Sequence, residues 1–137
     1  MAEKTRSEKL KRLVAVQRHL EQMAEYDLAE TNRQRAEVSR SIDDVVTALG
    51  SMDPIHRAFS QNYADRFERL STKDKQLTGM EQLHEMRLQQ ERAKGDRLEE
   101  SMENALEEER READDNAVYD IIDQKFATPA SSKLQKP

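Results

Sequence analysis

Three histidines, His19, His56 and His84, are the side chains best suited to hold a metal ion or pass a proton. No two of them stand three or four apart, the spacing that brings two imidazoles onto one helix face, so no metal site is expected. Carboxylates offer a second route. Glu99, Glu103 and Glu107 follow at steps of four, and paired acids can do acid–base work or bind two metals. A di-iron bundle also needs Glu-x-x-His motifs from two further helices, and the chain does not supply that set. The glycines Gly50, Gly79 and Gly95 stand alone, so no phosphate-cradling loop is built. Cysteine is absent, which excludes disulfides, thiolate metal sites and cysteine nucleophiles. The expectation is a protein that is not an enzyme and carries no cofactor.

The elements that position these residues are helical. Charged residues make up 37% of the 137 positions and hydrophobic ones 35%, against about 25% and about 45–50% in ordinary domains. That is too little apolar surface for a layered core, but a narrow seam between helices needs only about one apolar contact per turn. Gly50-Ser51-Met52-Asp53-Pro54 is the one strong break. Gly50 suits a left-handed position past a helix end, Asp53 an N-cap and Pro54 the first helical position. The fold class is therefore all-α, an antiparallel two-helix coiled-coil hairpin with a longer second helix. Its first helix covers about 7–49, the turn 50–54, the second helix about 55–126, and 127–137 form a disordered tail. At about 1.5 Å per residue the helices are roughly 65 Å and roughly 105 Å long.

Thr5-Arg6-Ser7-Glu8 matches a capping box that starts the first helix. Its seam is expected at Leu10, Leu13, Leu20, Ala24, Leu28, Val38, Ile42, Val45 and Leu49, with Thr31 and Arg35 filling the gap. Leu20, Ala24 and Leu28 step by four twice, which reads as a stutter. The second helix offers Ile55, Phe59, Tyr63, Phe67, Leu70, Leu77, Met80, Leu88, Leu98, Met102, Ala105, Ala117, Ile121 and Ile122. Cap-like residues at Ser71–Asp74 and Thr78–Gly79 leave open a third helix broken near 71–79. With the turn centred on Ser51 and Met52, Leu10 lies opposite Ala93 and the first helix runs out near Gly95. Composition shifts there too: residues 1–95 hold 17 basic and 16 acidic residues, and residues 96–123 hold three and 12.

No signal-peptide stretch or membrane-length apolar run occurs, so a soluble, cytoplasmic protein is expected. The net charge of −5 argues against nucleic acid as the main partner. Two features point to protein partners instead. Phe59, Tyr63 and Phe67 fan over roughly 80° of helix surface, an arc that one opposing helix covers only in part, so they form either a well-packed hairpin tip or a patch that leaves one or two rings exposed as docking anchors. Glu99, Glu103 and Glu107 stack like charges along one face, which is either a solvated surface or a site for a basic partner. The basic start of the first helix (Lys4, Arg6, Lys9, Lys11, Arg12) is one candidate for that role.

Three stretches resemble the flagellar FliJ family and its type III secretion relatives, the coiled-coil stalk proteins of the export apparatus. They are Leu10-Lys11-Arg12-Leu13-Val14-Ala15-Val16-Gln17, Phe59-Ser60-Gln61-Asn62-Tyr63, and Glu112–Ala117 through Gln124-Lys125-Phe126. The resemblance implies a protein seated in the pore of the hexameric export ATPase, touching the cytoplasmic ring of the export gate and handling export chaperones. It places Phe59 and Tyr63 towards the gate, and the protein at the inner face of the cell membrane at the flagellar base, with no membrane insertion. The acidic 96–123 segment departs from the family's usual basic character. The alternative reading is a free-standing coiled-coil adaptor or chaperone for a basic protein.

Overall fold

The computed structural model describes the backbone of residues 3–135 and the side chains of residues 3–127. Helix α1 spans Arg6–Leu49, α2 Pro54–Ala58 and α3 Ser60–Gln135. No strand occurs among the described residues. The long α1 packs against the longer α3 in an all-α helical hairpin. Two compact units divide it: Val16–Gly95 forms one, and the residues up to Ala15 with those from Asp96 onward form the other.

The caps follow the sequence. Thr5 Oγ1 accepts from the Glu8 amide at 3.3 Å, fixing the start of α1. Asp53 is extended (φ −63°, ψ 130°), its carboxylate accepts from the Ile55 amide at 2.9 Å, and Pro54 follows at the first helical position. Gly50 differs from expectation, because no glycine among the described residues has positive φ. Its amide still donates to the Val46 carbonyl at 3.0 Å, and Ser51 closes a tighter turn onto Ala48 at 3.2 Å. The helix end is thus satisfied by a last 3₁₀-type turn, without a left-handed residue.

The second helix is not continuous from residue 55. It breaks at Phe59 (φ −105°, ψ 15°), whose amide bonds the His56 carbonyl at 3.3 Å while its own carbonyl receives the Tyr63 amide at 3.0 Å. The break left open near 71–79 is absent. Thr72 and Thr78 donate their hydroxyls to the carbonyls of Glu68 and Asp74, at 3.0 and 2.8 Å, and so sit within the helix rather than capping a new one. The α-helical backbone also continues through Gln135, past the boundary drawn at Phe126. Lys136 and Pro137 lie outside the described residues, as do the side chains from Thr128 onward.

Breaking at Phe59 moves the register. Gly95, expected beside the start of α1, lies against Arg18 instead, and Ser7 meets Glu109. The composition shift at residue 95 therefore does not mark the end of pairing. Every residue from 111 to 127 is exposed.

Within Val16–Gly95 the α1 seam is Gln17, Glu21, Ala24, Leu28, Thr31, Arg35, Val38, Ile42 and Val45, facing α3 at Leu70, Asp74, Leu77, Glu81, His84, Leu88, Glu91 and Gly95. In the other unit Ser7, Leu10 and Val14 face Leu98, Met102, Ala105 and Glu109. Steps of three and four alternate strictly along both helices, so the expected stutter is absent. Thr31 and Arg35 occupy the seam as read. Leu13 does not, being 52% exposed, and its place is taken by Val14. Polar Gln17 and Glu21 fill what Leu20 was expected to fill, because each finds a partner on α3.

Gly95 is buried because the Arg18 guanidinium crosses it, 2.7 Å from where a Cβ would stand. Gly79 has no such reason: a Cβ there meets nothing within 4 Å. Gly79→Ala is therefore expected to stabilise the hairpin by about 1 kcal/mol, read as a raised thermal midpoint. A lowered midpoint would mean α3 is not helical through that position.

Candidate partner-binding surfaces

The structure brings the aromatic group to the turn side of the Val16–Gly95 unit, and most of it is not core. Phe59 is 50% exposed at the α2–α3 break, and Phe67 is exposed one face on. Tyr63 is half-buried, edge-on to His56 with ring centroids 5.9 Å apart and planes at 86°. Met52 and Ile55, at 78% and 66% exposed, extend this apolar surface. Met52 was missed in the sequence because it sits in the turn, outside any periodic pattern, and Ile55 had been given to the seam. Helix α2 buries none of its residues.

Glu99, Glu103 and Glu107 lie along α3. Glu107 bonds Arg110 at 2.8 Å and approaches Arg111 at 3.4 Å on its own helix. Glu99 is half-buried and Glu103 exposed. Glu109, outside the set expected from the sequence, reaches the start of α1. Its carboxylate accepts from the Ser7 amide at 3.1 Å and the Ser7 hydroxyl at 2.6 Å.

Other polar pairs cross the seam. Gln17 donates to the Glu91 carboxylate and, at 3.1 Å, to its carbonyl. Arg35 pairs with Glu81 and lies 3.7 Å from Asp74. Arg92 reaches Glu25 at 3.0 Å and Glu21 at 3.4 Å, and Arg87 reaches Asp27 at 3.6 Å. Gln17, Arg35 and Arg92 thus meet carboxylates across the seam in one register, and a one-turn slip would strand them. These side chains specify alignment more than they add stability.

Glu81-Gln82-Leu83-His84 is a Glu-x-x-His, a correction to the expectation that the chain has none, but a single one falls short of the two that a di-iron bundle needs. Glu81 is committed to Arg35, and no cluster of three His, Asp or Glu able to hold a metal ion occurs among the described residues. His19 is exposed, while His56 and His84 are half-buried. Among the described residues no helix is long and apolar enough to cross a membrane.

Two of the seam carboxylates carry a pH signature. The Ser7 hydroxyl and amide hold Glu109 below its ordinary value near 4.5. The Gln17 amide does the same for Glu91, with Lys94 and Arg87 adding to it. A carboxylate whose pKa is depressed by folding contributes stability above its unfolded value, and that contribution is lost as pH falls through the folded one. The thermal midpoint is thus expected to drop as pH falls below about 4.5. Ser7→Ala makes that drop shallower; an unchanged acid limb in Ser7→Ala would show that the contact does not form in solution.

In the unit containing the start of α1, an open groove of about 780 Å³ runs beside Val14, Ala15, Met102 and Leu106, with Lys11 and Glu8 on its α1 bank. Compared with models of known protein families, with curated proteins and with solved structures, the chain matches none.

Proposed function

We propose that this chain is a non-enzymatic stalk of a flagellar or type III protein export apparatus, coupling the export ATPase to the export gate and to export chaperones. The reading rests on the three stretches that resemble the FliJ family. The observation that supports it best is a helical hairpin whose register is held by cross-helix polar pairs while Phe59 and Phe67 stay exposed beside the turn. A hairpin of two unlike helices presents different residues in every direction. It therefore makes unequal contacts with six equivalent ATPase subunits, and turning relative to them changes which subunit it favours. The turn-side aromatics are the surface offered to the gate ring. Such a protein works in the cytoplasm, at the inner face of the membrane.

A second reading, a free-standing adaptor or chaperone for a basic protein, is favoured by the exposed Glu112, Asp114, Asp115, Asp120 and Asp123. Titrating the purified chain into the organism's export ATPase separates the two. Saturation at one chain per six subunits with altered ATP turnover is expected of a stalk. Absence of both binding and rate change moves the adaptor ahead.

A further inference from the structure

We propose that two copies of this chain pair through the unit containing the start of α1, each seating its Val118–Phe126 segment in the other's groove beside Val14, Ala15, Met102 and Leu106. The pairing stands apart from the export reading and needs no other component. It begins from a helix with nothing to pack on. Val118, Ile122 and Phe126 follow at steps of four along α3 and are 53%, 40% and 76% exposed, with Tyr119 and Ile121 on their flanks. Helices in water draw most of their stability from burying such a face.

The groove offers what the segment lacks. Leu106 on its α3 bank is 50% exposed, and Val14 and Met102 form an apolar floor. The same chain cannot fill it, because Leu106 and Ile122 lie on one unbroken helix. A second copy can, and the α1 bank of the groove meets it with charge of the opposite sign. The segment and its lead-in carry Glu112, Asp114, Asp115, Asp120 and Asp123 against Arg111 and Lys125, and the α1 bank carries Lys4, Lys11 and Arg12 against Glu8. Glu109, at the groove's edge, is turned onto Ser7.

Each copy owns one groove and one segment, so a two-fold axis satisfies both at once and closes the assembly. With Leu106 level with Ile122, that axis passes near Asp114 and sets the two α3 helices antiparallel. Arg110 and Arg111 of each copy then lie level with Val118 and Ala117 of the other, about one turn from the Asp114 residues that meet on the axis. Two reciprocal contacts also double the buried area towards the roughly 1,200–2,000 Å² of a stable interface.

The chain has no cysteine, which makes the test direct. Sedimentation equilibrium of the full chain is expected to show twice the 15.9 kDa chain mass, weakening with added salt. Leu106→Cys and Ile122→Cys chains, mixed and oxidised, are expected to cross-link to each other and not to themselves. Lys11→Glu with Arg12→Glu should weaken dimerisation about tenfold or more, and adding Asp120→Lys with Asp123→Lys should restore it. All four positions are exposed, and circular dichroism checks that helicity is kept. A monomer at every concentration overturns the proposal. So does Ile122→Cys cross-linking only to itself, which would place the apolar segments against one another.

Discussion

Leu88→Ala is expected to lower the stability of the hairpin by about 2–5 kcal/mol, seen as a fall of roughly 10 °C or more in thermal midpoint. The size of the effect follows from how little core there is. Among the described residues the buried apolar side chains are Ala24, Val38, Val45, Leu77, Leu88 and Ala105, and only two of these are leucines. Small domains hold a net stability of about 5–15 kcal/mol, so removing one of two buried leucines takes a large share. Leu77→Ala, at 4% exposure, should behave alike. Leu13→Ala is the control, since more than half of that side chain already faces water and truncation there should cost under about 1 kcal/mol. Equal losses at Leu13 and Leu88 would mean the helices pair through the other face.

Phe59→Ala combined with Tyr63→Ala is expected to abolish motility while leaving helicity by circular dichroism nearly intact. Phe59 sits at a break where no helical hydrogen bond depends on its side chain, and half of its surface is open. Tyr63 gives up an edge-on contact with His56 and some half-buried area, a modest loss beside that of Leu88. Exposed aromatic rings on a stiff element are where binding energy concentrates, at about 2 kcal/mol or more for each true anchor. On the proposed export reading, folding is therefore spared while docking to the gate fails. Loss of helicity together with motility would show that the two rings hold the turn. Retained motility would remove the patch from the export reading.

The helical class and the turn were legible because their signals are local. Asp53 caps and Pro54 starts a helix through atoms two or three residues away, and Thr5 caps Glu8 in the same manner. What failed was information carried across the hairpin. Leu13 and Val14 are adjacent and both apolar, so periodicity alone cannot say which faces α3. Gln17, Glu21 and Glu91 were passed over as seam residues since a polar side chain reads as buried only once its partner is known. The break at Phe59 had no proline or glycine to announce it, and it shifted every cross-helix pairing. For the candidate surfaces, the exposure of Phe59 and Phe67 followed from an arc too wide for one neighbour. Glu109 could not be found that way, as its partner Ser7 is distant in sequence and unremarkable in type.

The contact between Ser7 and Glu109 has a consequence for the order in which the chain assembles. Positions flanking the turn meet after closing a short loop, whereas Ser7 waits for a residue synthesised long after it. The entropic cost of bringing ends together grows with the length still unpaired, so pairing starts beside the turn and closes like a zip towards Thr5. On the ribosome the first turn of α1 therefore stands bare until most of α3 has emerged. In the finished protein the same contact is the first to fray.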